Sequence, residues 1–192
     1  MNTPQDSDFR DGMPFLGSRL WIDFVNSAPV ALGDFLATAE GWQRWRAAAR
    51  LDTDKAGAGD LAATHALRGS LSRLFENLMS GTAPQPGDLA RLNGLLAAQA
   101  THPHLEWRDG TLKVEERSSG GGGPLAAIAA DFVDFAAHHE PARLRHCANP
   151  ECSLVFYDTA RNGTRRWCSM AACGNRHKVR SHRMRVAAVS SS

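Results

Sequence analysis

All four cysteines of this 192-residue chain lie in its last quarter, and their spacing constrains the fold more than any other feature. They form two Cys-x4-Cys pairs separated by 15 residues: Cys147, Cys152, Cys168 and Cys173. Paired cysteines in a reducing compartment favour metal binding over disulfide formation. Four thiolates make a closed tetrahedral shell for Zn²⁺, which leaves no coordination position open for catalysis. We therefore predict one structural Zn²⁺ per chain, held by these four residues.

Two alternatives to zinc stay open at this point. A pair of disulfides would suit a secreted chain, but the N-terminus is polar and acidic, without the basic and apolar regions of a signal peptide. An iron–sulfur cluster also takes four cysteines, although its common spacings differ from this one. No run reaches the roughly 18 apolar residues that a membrane-spanning helix needs. The sequence therefore predicts a soluble cytoplasmic protein that does not enter the membrane.

Charge is divided unevenly along the chain. Residues 1–140 carry 12 Lys and Arg and 18 Asp and Glu, a formal charge of −6. Residues 141–192 carry 10 Lys and Arg and only 2 acidic residues, a formal charge of +8. A basic segment on an acidic body is typical of a chain end that meets a polyanion, although it could instead dock on the acidic part of the same chain. We predict two domains with these boundaries.

Apolar periodicity predicts a mainly helical N-terminal domain with a few strands. Residues 1–17 are expected to form an extended arm with a turn at Asp11-Gly12, and the β-prone residues 19–25 a strand. Helices are expected over residues 33–50, 60–81, 88–100 and 124–140. Alternating residues on both sides of Asp109-Gly110 predict a β-hairpin over 104–115. The four glycines that follow it are interpreted as a flexible connection.

The N-terminal sequence does not reveal an activity. Four tryptophans, Trp21, Trp42, Trp45 and Trp107, are interpreted as core residues, with a tryptophan-lined ligand pocket as the alternative. No nucleophile–base pair can be argued from the sequence. We therefore predict that the protein is not an enzyme and has no catalytic residues.

The segment around the cysteines predicts a small finger. Residues 154–157 are β-prone, Asn162-Gly163 is a hairpin-turn signal, and helix-compatible residues run from 169 to about 188. A knuckle would supply the first cysteine pair and the start of a helix the second, in the order of a treble-clef-like finger. The expected fold class is thus α+β: a mainly helical domain with a few strands and a hairpin, then a zinc finger that ends in a basic helix.

The predicted C-terminal helix is strongly basic. Arg176, Arg180 and Arg183 fall at i, i+4 and i+7 on one face, and Lys178 lies on the adjacent face. No acidic residue interrupts residues 159–192, so DNA phosphates would supply the counter-charge. The candidate nucleic-acid contacts are Arg165, Arg166, Arg176, Lys178, Arg180 and Arg183.

The last cysteine pair resembles a known motif. Cys173-Gly174-Asn175-Arg176, preceded by Cys-x4-Cys, by Phe-Tyr-Asp and by Arg-Arg-Trp-Cys, closely resembles the bacterial CGNR zinc finger over about residues 141–185. Asp158 and Lys178 stand at positions that this family also carries. Asn175 is interpreted as structural, and Arg176 is left open between a structural role and DNA contact. The resemblance implies a transcription regulator whose finger binds DNA.

Residues 20–27, Leu-Trp-Ile-Asp-Phe-Val-Asn-Ser, resemble the Leu-x-Leu-Asp-Phe-x-Asn-Thr opening of the ABATE domain, which usually precedes this finger. This resemblance implies a stress-induced transcription regulator. We therefore predict a zinc-dependent protein that binds duplex DNA and whose N-terminal domain senses a small-molecule effector or forms a homodimer. The alternatives are an RNA-binding module, and a ligand-binding or enzymatic N-terminal domain with a purely structural finger.

Overall fold

The computed structural model describes residues 8–51, 61–97, 101–108, 111–118 and 123–190. The helices in these ranges are α1 Leu20–Val25, α2 Ala39–Ala48, α3 Leu61–Ser80, α4 Pro86–Ala97, α5 Gly123–His138 and α6 Asn175–Ser190. The strands are β1 Phe9–Arg10, β2 Met13–Pro14, β3 Thr101–Arg108, β4 Thr111–Ser118, β5 Leu144–His146 and β6 Val155–Tyr157. Consecutive strands pair as three antiparallel hairpins. The α+β fold class is confirmed.

Most of the predicted N-terminal elements are present. Helix α2 begins six residues later than predicted, because the Thr38 side chain caps it by accepting a hydrogen bond from Gly41 N–H at 3.1 Å. Strands β3 and β4 pair with Arg108 opposite Thr111, as a two-residue turn requires. The turn residues of this hairpin, residue 60 and residues 119–122 lie outside the described ranges. Residues 9–14 of the predicted arm form the short β1–β2 hairpin, whereas residues 1–7 of the arm and residues 98–100 of the helix predicted over 88–100 lie outside the described ranges.

The strand predicted at residues 19–25 is wrong, because these residues form helix α1. Tertiary contacts override their β propensity. Asp131 of α5 accepts a hydrogen bond from Trp21 N–H at 2.9 Å and pairs with Arg19 at 2.7 Å, so α5 caps the N-terminus of α1. The helix also buries both Trp21 and Phe24, which would point to opposite faces of a strand.

An aromatic core fills the space between α1, α2, α3 and α5. Trp21 packs edge-on against two phenylalanines of α5, with centroid distances of 5.2 and 5.3 Å. Trp42 stacks on Trp45 at 5.8 Å. These three tryptophans are fully buried, so their interpretation as core residues is confirmed. The same interpretation is wrong for Trp107, which lies on β3 with 68% of its surface exposed.

The main core continues past residue 140. Leu144 of β5 and Val155 of β6 belong to the same buried cluster as the residues of α1, α3 and α5. A smaller cluster contains the cysteines, and Leu16 of the N-terminal arm packs into it. The predicted domain boundary stays a prediction, while the buried residues on its two sides pack as one unit.

Asp23 of α1 is a buried acid at this junction. Its Oδ1 accepts a hydrogen bond from Gly17 N–H at 2.7 Å. Burial raises the pKa of Asp23 to about 7, although the Gly17 N–H partly opposes the shift. Gly17 has no room for a side chain, since a Cβ would lie 2.5 Å from Ile22 Cγ2. The arm and α1 are therefore held together around a carboxyl group that is hard to ionise.

We expect the substitution Asp23→Asn to remove a pH dependence of stability. Because the folded pKa lies above the unfolded value, the wild-type free energy of unfolding falls as pH rises from about 4 to about 7. Asparagine keeps the Oδ1 acceptor and does not ionise, so the variant gains stability over the wild type at pH 8 and little below pH 5. Urea unfolding at both pH values measures this, with exposed Glu40→Gln as the control. An equal difference at both pH values would contradict it.

Candidate metal centre

The four cysteine sulfurs form one compact cluster. All four Sγ atoms lie within 4.8 Å of one another. Cys168 Sγ is 3.8 Å from Cys152 Sγ and 3.6 Å from Cys173 Sγ. Four sulfurs at about 2.3 Å from a central Zn²⁺ stand about 3.8 Å apart along the tetrahedron edges. The cluster therefore has the dimensions of one four-coordinate zinc site, and it could hold one zinc ion as predicted.

The cysteines are free thiols in this structure. The sulfur–sulfur distances are far longer than the roughly 2.05 Å of a disulfide bond, so these cysteines do not form the disulfides of the alternative interpretation in this structure. Three of the four are buried and Cys152 is half-buried. A closed, buried set of sulfur ligands is typical of a structural zinc site.

Burial makes ionisation of two of the thiols costly in the absence of a cation. Burial, together with repulsion from neighbouring thiols, raises the pKa of Cys152 to about 11 and raises the pKa of Cys168 as well. Burial likewise opposes ionisation of Cys173, but hydrogen bonds from the Asn149 amide and the other thiols outweigh it and lower the pKa. Zinc takes cysteine as thiolate, so a bound Zn²⁺ would offset this cost at Cys152 and Cys168.

Asn149 organises the knuckle between β5 and β6 that supplies the first cysteine pair. Its Nδ2 donates to Cys173 Sγ at 3.6 Å, and its Oδ1 accepts from Glu151 N–H at 3.3 Å. Cys168 N–H donates to Cys147 Sγ at 3.5 Å. Such N–H···S bonds offset negative charge on the sulfurs. Sequence reasoning missed Asn149, although an Asn-Pro pair inside the Cys-x4-Cys loop is a turn signal that could have indicated it.

The hairpin predicted around Asn162-Gly163 is wrong in its second strand. In the described part of the chain, β6 pairs with β5, and the residues after the turn are not a strand. Gly163 does have the positive φ of 61° that the turn predicts. The segment is held instead by buried Asp158, whose carboxylate accepts hydrogen bonds from Ala160 N–H at 2.9 Å and Arg165 N–H at 2.8 Å. One side chain thus replaces the hydrogen bonds of a strand pair.

The second cysteine pair begins the C-terminal helix, as predicted. A π-helical segment, Met170–Gly174, carries Cys173 and continues into α6. Ser169 caps this segment, because its Oγ accepts from Ala172 N–H at 3.3 Å. The same hydroxyl donates to Asp8 Oδ2 of the N-terminal arm at 2.9 Å. The start of the helix is therefore tied to the other end of the chain.

Asn26 attaches the finger to α1. Its buried side chain donates from Nδ2 to Val155 O at 2.8 Å, and its Oδ1 accepts from Val155 N–H at 2.9 Å. These are the two bonds that a neighbouring strand would make, so one asparagine completes the free edge of β6. Two residues along, Tyr157 N–H donates to Gly17 O at 3.0 Å. Sequence reasoning gave Asn26 no role, since its partner lies 129 residues away.

Two of the six candidate nucleic-acid contacts lie just before Cys168. Half-buried Arg165 donates to Trp167 O at 2.9 Å and to Cys168 O, and its guanidinium lies 4.4 Å from the Phe156 ring centroid. These contacts hold the loop against the finger and occupy donors that a phosphate would need. Arg166 is exposed and lies over the Trp167 ring at 5.4 Å. Phosphate contact by either residue stays a prediction.

The other four candidates lie on α6. Arg176, Lys178, Arg180 and Arg183 are all exposed, and α6 packs mainly against the π-helical segment before it. At the start of α6, Arg176 also lines a small cavity together with residues of the N-terminal arm and of the loop after α1. Arg176 Nη2 lies 3.9 Å from Cys173 Sγ, and Arg176 Nε donates to Ala172 O at 3.2 Å. These contacts hold the first turn of α6 close to the cysteine cluster.

An open groove of about 810 Å³ runs between α6 and the knuckle. The knuckle residues 148–151 form one wall, and α6 forms the other with both apolar and basic side chains, among them Val179, Met184 and three arginines: Arg176, Arg180 and Arg183. Glu151 pairs with Arg180 across the groove at 3.3 Å, and both side chains are well exposed. An exposed pair of this kind contributes little to stability, so Arg180 can exchange its partner for an external anion.

Two family models match the chain in the order that the sequence predicted. One, described as "Putative stress-induced transcription regulator" (ABATE), matches residues 18–139. The other, the CGNR zinc finger, matches residues 143–186 and contains all four cysteines. A search among curated proteins found no match. No helix in the described ranges is long and apolar enough to cross a membrane. The first match covers more than half of the chain, which therefore belongs to the ABATE family, and its C-terminal module is a CGNR zinc finger.

Proposed function

We propose that the protein is a zinc-dependent transcription regulator that binds duplex DNA through α6 and the adjoining surface of the finger. The observation that carries the proposal is an exposed basic helix whose base is fixed by the four-cysteine cluster. The N-terminal part senses a small-molecule effector or forms a homodimer. In this proposal the protein is a binding protein and not an enzyme.

The charge of the finger supports a polyanionic partner. The formal charge of +8 over residues 141–192 falls by 2 when four thiolates and one Zn²⁺ are included, which leaves about +6 on the folded finger. No acidic residue lies after Asp158 to neutralise it. A helix with this charge repels itself unless counter-charge arrives, and nucleic-acid phosphates provide it.

The shape of α6 supports duplex DNA as that partner. Its 16 residues give a rod about 24 Å long, and the DNA major groove is about 12 Å wide and admits an α-helix. Contacts from arginines on one face would position the helix on the phosphates. Because the metal centre fixes the base of the helix, little conformational entropy is lost on docking.

Arg180→Ala tests the proposal. If about four to six phosphates are neutralised, the log affinity of the wild type should fall against log salt with a slope of about −4 to −5. The variant should weaken binding about equally for all sequences and flatten the slope by nearly one unit, since it removes one phosphate contact. Fluorescence anisotropy of labelled duplexes over a range of salt concentrations measures both quantities.

Two control variants accompany Arg180→Ala. Arg91→Ala removes an equally exposed charge from α4, away from the finger, and should leave the slope unchanged. Glu151→Gln frees Arg180 from its partner and should tighten binding. A salt-independent or undetectable interaction with any duplex would contradict the proposal. Preference for a structured RNA in direct competition would favour the RNA-binding alternative.

A further inference from the structure

The β3–β4 hairpin carries four large apolar side chains on one face. They form two cross-strand pairs, Leu105 with Val114 and Trp107 with Leu112. Each of the four exposes between 64% and 68% of its surface. We call these four residues the hairpin patch. Contiguous apolar side chains at this exposure mark an interaction surface more often than a random surface feature.

The opposite face of the hairpin is polar and contains ion pairs within the hairpin. Arg108 pairs with Glu106 at 2.7 Å and with Glu115 at 3.1 Å. Both glutamates are half-buried, whereas the hairpin patch is exposed. A hairpin that belonged to the core of its own chain would show the reverse, with the apolar face covered and the charged face in water.

Other elements in the described part of the chain give the hairpin little support. Within the described ranges, β3 and β4 pack extensively only against each other. A two-stranded hairpin alone in water is at best marginally stable, and it needs a further surface against its apolar face. The hairpin patch is therefore the face of the hairpin that needs a packing partner.

We propose that the hairpin patch is a homodimer interface, in which two copies of this chain pack patch against patch about a two-fold axis. A two-fold interface requires a surface that complements itself, and a patch without charge meets its own copy without like-charge repulsion. The interface buries Trp107, and tryptophans are enriched among the residues that contribute most to binding. Pro103 lacks an N–H and interrupts the edge of β3, which favours face-to-face packing over continuous strand addition.

The area of the hairpin patch suits a second copy. Four side chains at this exposure offer on the order of 500 Å² per chain, so a dimer that buries all of this area removes about 1,000 Å² from water, which is the minimum expected of a biological interface. A dimer would present two α6 helices. Dimerisation is one of the two roles proposed above for the N-terminal part, but the assignment of its surface involves no nucleic acid. The assignment of the dimer surface can therefore be wrong while the protein still binds DNA, and the protein can fail to bind DNA while the assignment is right.

Light scattering after size-exclusion chromatography tests the interface on the full zinc-loaded chain without DNA. The wild type should have twice the monomer mass of 20.8 kDa. The double variant Trp107→Lys, Leu112→Lys should have the monomer mass with an unchanged circular dichroism spectrum, since both residues are exposed in one chain. Leu32→Lys, which replaces a leucine that is 55% exposed outside the hairpin, should remain a dimer. A monomeric wild type, a double variant that stays dimeric, or a monomeric Leu32→Lys would overturn the assignment.

Tryptophan emission gives a second measurement, which does not need a variant whose dimer interface is broken. Trp107 is exposed in one chain, whereas Trp21, Trp42 and Trp45 are buried in its core and Trp167 is half-buried in the finger. Dilution of the wild type should shift the emission to the red as Trp107 leaves the interface. Trp107→Phe keeps an aromatic side chain in the hairpin patch and should abolish the shift. A shift that persists in this variant would overturn the proposal.

Discussion

Cys168→Ser is expected to abolish zinc binding and to lower the unfolding temperature of the whole chain. Cys168 is 1% exposed and makes the two short sulfur–sulfur approaches of the cluster. Metal binding in zinc-finger peptides provides about 10–16 kcal/mol at pH 7, which matches or exceeds the total stability of a typical domain. Because Leu144 and Val155 of the finger lie in the main core, losing the finger also opens that core.

Three measurements check this result. Elemental analysis of protein purified without added metal should give about one zinc per wild-type chain and essentially none for the variant. Thermal unfolding followed by circular dichroism should show one lowered transition, and chelation of the wild type should reproduce it. Thr164→Ala, an exposed change in the same finger, is the control and should have no effect. Iron in place of zinc would favour the iron–sulfur alternative, and retained metal in the variant would contradict the site.

Asn26→Ala is expected to destabilise the protein by about 2–4 kcal/mol, because it leaves two buried polar groups without partners. The N–H and the carbonyl of Val155 both lose their hydrogen bonds to this side chain. Since these bonds join α1 to β6, the variant should also release zinc to a chelator faster than the wild type. Lower stability together with faster zinc release would show that Asn26 couples the finger to α1 and does not merely fill space.

Urea unfolding and the rate of zinc transfer to a coloured chelator measure the effects of Asn26→Ala. Asn93→Ala, which changes an exposed asparagine of α4, should be nearly neutral in both assays. A change in unfolding free energy no larger than that of the control would show that the two bonds to Val155 contribute nothing. Unchanged zinc release with reduced stability would place the role of Asn26 in packing alone.

Local spacing made the metal centre readable from the sequence. A knuckle and a helix start each bring two cysteines together over a few residues, so the pairs Cys147–Cys152 and Cys168–Cys173 could be identified without the fold. The Asn162-Gly163 turn is also local, and its positive φ is present. Whether a strand follows this turn depends on which groups accept hydrogen bonds from the backbone N–H groups around it. Here the buried Asp158 carboxylate accepts them in place of a neighbouring strand.

Contacts between distant segments could not be read in this way. The residues of α1 favour a strand in isolation, and distant contacts explain the helix, among them the cap from Asp131, which is more than a hundred residues away. Trp107 is of a residue type that usually lies in the core. Its exposure follows from the position of the hairpin in the fold, which the residue type does not reveal. Asn26 belongs to a recognisable motif, but its bonds to Val155 depend on how the finger docks.

The attachment of the N-terminal arm to the finger has a consequence for how the chain acquires its structure. Asp8 and Ser169 are 161 residues apart in sequence, and Leu16 packs among the cysteines. The arm is synthesised long before the segment that it packs against, and contacts of such long range are slow to close. We expect the helical core to form during synthesis while the arm stays undocked until the cysteine segment has followed. Docking of the arm and metal loading would then be late steps of folding that occur together.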